Sequence, residues 1–124
     1  NEVMSAFAMP KETDEQKVKR SRAIQEATKV ATLIPLKLMQ KCTEAVELAG
    51  RVARKGNVNS LSDAGVAAVM IQSASDGAFY NIRINLASLE DKAFSSQSRA
   101  RAEGIRNSVT TLVREINSVV EAKL

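Results

Sequence analysis

From Ala27 to Val52 the chain repeats apolar side chains at three- and four-residue intervals, through Val30 and Ala31, Ile34, Leu38, Cys42, Ala45, and Leu48 and Ala49. That period fits a helix with one apolar face and does not fit a strand, whose side chains alternate. The spacing returns near the end of the chain in Ile105, Val109, Leu112, Ile116, Val119 and Val120, and Leu124. Aromatic residues are only 3%, with five Gly and two Pro in 124 residues, so the strand and turn residues of β-rich folds are scarce. The sequence therefore predicts an all-α fold: a single domain over residues 1–124, built as a bundle of about four long antiparallel helices.

Val3, Met4 and Phe7 already show helical spacing with no capping residue before them, which reads as entry in mid-helix and as the C-terminal piece of a longer protein. Met9-Pro10-Lys11 ends this fragment, because proline disfavours α geometry in the residue before it. Thr13, followed three residues later by Gln16, predicts a capping box at the start of a long helix. A straight helix from Thr13 to Arg54 would span roughly 63 Å. Pro35, which lacks an N–H and crowds the preceding turn, predicts a break or sharp kink that divides it into two helices in tandem. Arg54-Lys55-Gly56 predicts the stop, with cations on the last carbonyls and a Gly able to take positive φ. Ser60 and Asp63 predict the next start, and Ala64 to Leu86, with small residues on every side, is expected to be the central, most buried helix. Tyr80 to Leu86 alternates like a strand but has no visible partner strand, so it reads as the end of that helix, and Ser88 as the cap of the last one.

The chain has no His and one Cys, so the usual nitrogen and sulfur metal clusters cannot be assembled within it, and no metal is expected. Acid–base chemistry falls to carboxylates, Lys, Tyr, Cys or water. Cys42, set in an apolar helical stripe, is expected to be reduced, which points to the cytoplasm. The longest uncharged run, Ala64 to Ser75, is well short of the ~20 residues a membrane span needs, so no membrane partner is expected. Net charge is +4, with Lys17, Lys19, Arg20 and Arg22 as the densest basic cluster. No aromatic residues interleave with it, so it reads as a solvated helix face rather than a nucleic-acid surface.

Two polar clusters stand out. Asn57, Asn59, Ser62 and Asp63 lie between two predicted helices, where unpaired backbone N–H groups add donors; the alternative is that the Asn side chains shape the turn and Asp63 caps a helix. Tyr80, Asn81, Arg83 and Asn85 place polar groups about one helical turn apart amid apolar neighbours, with Arg83 able to clamp a carboxylate or simply to form an ordinary ion pair.

Met9-Pro10-Lys11, Ala27 to Pro35-Leu36, Glu47-Leu48-Ala49, Lys55-Gly56-Asn57-Val58-Asn59, Ser62-Asp63-Ala64-Gly65-Val66-Ala67 and Asn81-Ile82-Arg83-Ile84-Asn85-Leu86, in this order, resemble the cyclodeaminase/cyclohydrolase family. The resemblance covers nearly the whole chain, and its most specific parts are the Gly-Asn-x-Asn…Ser-Asp and Asn-x-x-Ile-Asn-Leu segments. It implies a helical homodimer that uses a tetrahydrofolate derivative as substrate, with no metal. The expected reaction is cyclodeamination of 5-formimino-tetrahydrofolate to the 5,10-methenyl form with release of ammonia; the alternative is the cyclohydrolase reaction, from the methenyl form to 10-formyl-tetrahydrofolate. Matching the Ser-Asp motif makes Asp63 the candidate catalytic residue, and Asn57, Asn59, Ser62, Asn81, Arg83 and Asn85 the candidate binding residues. A non-catalytic helical interaction module is a different class of function that the same pattern allows, although the scarcity of Trp and Tyr gives it few interface anchors.

Overall fold

The structure, a computed structural model, describes residues 2–124. They form α1 (Glu2–Phe7), α2 (Asp14–Lys55), a 3₁₀ turn (Val58–Ser60), α3 (Leu61–Ala87) and α4 (Lys92–Lys123), with no strand among the described residues. The fold is all-α, as expected, but the first helix is one short turn and a half, so three long helices make the body.

The Thr13 capping box is present: the Gln16 N–H donates to Thr13 Oγ1 at 3.2 Å and the Thr13 N–H donates to Gln16 Oε1 at 3.2 Å. The division at Pro35 is absent. α2 runs unbroken through the proline, because buried residues on both sides, Thr28 and Thr32 before it and Leu36 and Met39 after it, hold one continuous face against its neighbours. The two threonine hydroxyls donate back to the carbonyls of Ile24 and Thr28 at 2.7 and 2.8 Å, so their burial leaves no polar atom unpaired. Proline in a helix interior costs ~3 kcal/mol, offset by ~1 kcal/mol of freedom it removes from the unfolded chain. Pro35→Ala is therefore expected to stabilise the fold by ~2 kcal/mol in denaturant titrations.

The expected buried stripe of α2 is also corrected. Cys42 and Ala49 of that stripe are buried as expected, but Val30, Ile34, Leu38, Leu48 and Val52 are exposed, and the core face is completed by Leu36, Met39, Val46 and Ala53. α3 likewise buries one side only, through Leu61, Ala64, Ala68, Ser75, Ala78, Phe79, Ile82 and Leu86, and leaves Val66, Val69, Met70, Tyr80 and Ile84 exposed. The seam of α4 is largely as expected, with Val109, Ile116 and Val120 buried and Val113 added to them; Leu124 is exposed. Two clusters fill the core. One joins Val46, Ala49 and Ala53 of α2 to Ala64 and Ala68 of α3 and Val109 to Val120 of α4; the other joins Leu36 and Met39 to Phe79, Ile82, Leu86, Leu89 and Ala102. Polar ties secure both ends: the Gln25 amide donates to Ser88 O and accepts from the Glu90 N–H, each at 2.9 Å, and Lys123 Nζ donates to Ala53 O at 3.0 Å.

Three terminal signals differ from expectation. Gly56 sits at φ −78°, and glycine is needed there because a Cβ would stand 2.5 Å from Val52 O. Ser60 precedes α3 without a side-chain cap bond. Ser88 closes α3 while Asp91 caps α4, its Oδ1 accepting from the Phe94 N–H at 2.9 Å. That hydrogen bond, with Lys29 Nζ 3.0 Å from the other carboxylate oxygen, holds the Asp91 carboxyl below its ordinary value of 3.8. A depressed carboxyl stabilises the fold above its unfolded pKa and stops doing so as pH falls through its folded value. Asp91→Asn keeps an acceptor for the cap and loses the charge. The difference in thermal midpoint between the unmodified chain and this variant should be full at neutral pH and vanish as the pH is lowered below about 4.

Candidate functional site

An open cleft of about 810 Å³ runs between α2 and α3. Its α2 wall is the exposed stripe, Ala27, Val30, Ala31, Ile34, Pro35 and Leu38; its α3 wall is the small residues Ala74, Gly77 and Ala78, ending in Asn81 and Asn85. Small side chains on α3 leave the space, and Glu2 and Val3 of α1 border it. Asn81 and Asn85 are one helical turn apart, and neither side-chain amide has a hydrogen-bond partner among the described residues. Each offers a carbonyl acceptor and two N–H donors to whatever enters. Pro35 has no N–H to donate to the Ala31 carbonyl, and both residues line the cleft.

The other proposed residues lie elsewhere. Arg83 is two positions from Asn81 and Asn85, about 200° round the helix from each, so it stands on the side of α3 away from the cleft. Its guanidinium lies 5.8 Å from the Phe79 ring centre, and Arg106, bonded to Asp76 at 2.6 Å, stacks on the same ring at 4.9 Å. Asn57 shapes the turn: its Oδ1 accepts from the Asn59 N–H at 3.0 Å. Asn59 and Ser62 are exposed. Asp63 is exposed in the first turn of α3 and makes no hydrogen bond or ion pair with a described residue. Eighteen residues separate it from Asn81, five whole helical turns, so the two share one face of α3 about 27 Å apart. One chain thus brings Asn81 and Asn85 together and keeps Asp63 apart from them.

Among the described residues Glu2 is the one carboxylate lining the cleft, and it was not singled out from sequence; nothing in the local pattern of α1 shows that this helix borders a cleft formed by α2 and α3. No group of His, Cys, Asp and Glu suited to a metal ion exists among the described residues. No helix among them is long and apolar enough to cross a membrane. Cys42 is a buried free thiol whose pKa is pushed up by burial, away from the reactive thiolate.

The family model described as formiminotransferase-cyclodeaminase matches residues 1–104. The chain belongs to this family. Among curated proteins it is 39% identical over 122 residues to a methenyltetrahydrofolate cyclohydrolase of Methylorubrum extorquens, covering 98% of this chain and 59% of that protein. It is 30% identical over 120 residues to the formimidoyltransferase-cyclodeaminase of Rattus norvegicus and 31% identical to that of Sus scrofa, in each case covering 97% of this chain and 22% of the relative. The chain thus spans about three fifths of the bacterial relative and about a fifth of the mammalian ones.

Proposed function

We propose that the α2/α3 cleft binds a tetrahydrofolate derivative and that the protein acts on the one-carbon unit between N5 and N10, as a cytoplasmic homodimer of antiparallel helical bundles. The observation that carries this is the pair of amides, Asn81 and Asn85, without a side-chain partner among the described residues, at one end of an apolar cleft. A flat heterocycle needs apolar walls for its faces and a few placed donors and acceptors for its edge. The relatives' names give the substrate class its chemical identity.

In cyclodeamination, N10 attacks the formimino carbon on N5, the tetrahedral intermediate loses the N10 proton, and the amino nitrogen takes a proton and leaves as ammonia. In the cyclohydrolase reaction, water adds to the methenyl carbon and loses a proton; the hydroxyl then gives up its remaining proton as the N5–C bond breaks, N5 takes a proton, and the formyl group is left on N10. Both need one group to accept and return a proton at the same carbon, and with no His in the chain a carboxylate is the side chain suited to it. We assign that role to Asp63. The higher identity to the bacterial relative favours the cyclohydrolase reaction as the second reading.

The test supplies 5-formimino- and 5,10-methenyl-tetrahydrofolate separately and follows the methenyl absorbance, which rises for the first reaction and falls for the second. Absence of both changes, together with no gain in stability from a folate ligand, overturns the reading in favour of an interaction module. A bound folate at 100 times its dissociation constant should raise stability by ~2.7 kcal/mol. Arg83, outside the cleft, is assigned the carboxylates of the folate tail. Arg83→Met is expected to weaken a polyglutamylated ligand more than a pterin without the tail; equal loss for both removes Arg83 from that role.

A further inference from the structure

The α2/α3 cleft has two unlike ends. Where the Gln25 amide bonds to Ser88 O and to the Glu90 N–H, α2 is tied to the end of α3. Ala27 and Asn85 both line the cleft and lie within about 5 Å of that tie along their helices, with Asn81 one turn further on. Leu38 and Ala74, each about 20 Å from the tie, mark the other end. The lining residues in between, apart from Asn81, are apolar or glycine.

α1 brings a carboxylate to the polar end. Six residues are too few to hold a helix in isolation, so α1 depends on its attachments. Arg20 of α2 supplies them: its Nε and Nη2 donate to Phe7 O at 3.1 and 3.0 Å, and its guanidinium lies 5.5 Å from the Phe7 ring centre. Ala6 is buried beside this clasp. Glu2 is about 8 Å from Phe7 along α1, and Ala27 is about 10 Å from Arg20 along α2. With Phe7 fixed at Arg20, α1 therefore reaches back to the level of Ala27, where Glu2 and Ala27 line the same cleft. The Glu2 carboxylate is exposed and has no ion-pair or hydrogen-bond partner among the described residues. Arg20 itself does not line the cleft.

A carboxylate, which only accepts, thus stands at one end of the cleft with two amides, which both donate and accept. Two carboxylate oxygens match two parallel N–H groups, the geometry that makes bidentate pairs strong. A 2-amino-4-oxopyrimidine ring offers such an edge: its 2-amino group and N3–H lie side by side, followed by a 4-oxo acceptor to which an amide N–H can donate. We propose that Glu2 is a specificity-determining residue of the cleft, accepting from the 2-amino and N3–H groups of a pterin ring whose 4-oxo group faces the Asn81 and Asn85 amides. Arg20 is the positioning residue that holds α1 in place for it. This rests on the folate reading of the cleft and adds the orientation of the ring, pyrimidine edge toward α1 and the rest of the bicycle between the apolar walls.

Calorimetric binding of two ligands tests it: 5-formyl-tetrahydrofolate, and its analogue with methyl in place of the 2-amino group. The unmodified protein should bind the analogue ~10–100-fold more weakly, the effect of one lost hydrogen bond to a charged group. Glu2→Gln should weaken 5-formyl-tetrahydrofolate by a similar factor and the analogue much less, so that the preference between the ligands largely disappears. Arg20→Met, with helix content unchanged by circular dichroism, should reduce the same preference, and Arg20→Lys, which can still donate to Phe7 O, should restore part of it. In turnover, the loss in Glu2→Gln should appear in KM rather than in kcat. Equal weakening of both ligands by Glu2→Gln, weakening of neither, or a fall in kcat with KM unchanged overturns the assignment of Glu2. An undiminished preference in Arg20→Met overturns the role of Arg20. If the unmodified protein binds both ligands equally, this inference is overturned and the folate reading stands; if it binds neither, both fall.

Discussion

Replacing Asp63 by Asn is expected to slow turnover by ~10²–10⁴-fold while leaving the stability of the fold unchanged. The two halves of this expectation come from one feature of the structure. Asp63 is exposed, touches no hydrogen-bonding partner among the described residues, and is not engaged with Ser60, whose side chain makes no cap bond. The capping role weighed for it from sequence is therefore reduced to the weak attraction between a carboxylate and a helix N-terminus. Asn keeps the shape and gives up the proton-accepting oxygen. Glu2 supplies the contrast, as a carboxylate that already lines the cleft of its own chain. If Glu2→Gln abolishes turnover and Asp63→Asn stays within threefold of the unmodified protein, proton transfer belongs to Glu2 and the assignment of Asp63 is overturned.

What the sequence revealed and concealed divides by the range of the forces involved. Thr13 was legible because a capping box is settled within four residues. Ser60 does stand at the start of α3, although its side chain makes no cap bond, whereas Ser88 is not the cap of α4: Leu89 enters the core first, and α4 starts only after Asp91. On α2 two apolar series share one helix. The one richer in Val, Ile and Leu largely faces outwards, and the one with Thr28, Thr32 and Met39 faces inwards. Hydrophobicity alone ranks them the wrong way round, because buried threonines become tolerable only once their hydroxyls bond to the preceding turn. The polar pair Asn81 and Asn85 was visible from its four-residue spacing, whereas the cleft was not, since its opposite wall lies some fifty residues earlier in α2.

The strand-like segment Tyr80 to Leu86 shows where burial and exposure separate within one turn of helix. Ile82 is 0% exposed, packed with Met39, Phe79 and Leu86 beneath the cleft, while Ile84 is 71% exposed on the other side of α3. Ile82→Ala removes buried methyl and methylene groups and leaves a cavity that its helical neighbours fill only in part, a loss of ~3–4 kcal/mol. Against a total stability of ~5–15 kcal/mol, this should lower the thermal midpoint by roughly 10–15 °C. Ile84→Ala in an isolated chain is a surface change, worth within ~0.5 kcal/mol. Under a second copy the same methyl groups are buried, and their loss weakens association rather than the fold, so its effect must follow protein concentration. The midpoint deficit of Ile82→Ala should then be the same at every concentration, while that of Ile84→Ala should be large in concentrated samples and shrink on dilution. A concentration-independent deficit for Ile84→Ala would leave this face without the second copy.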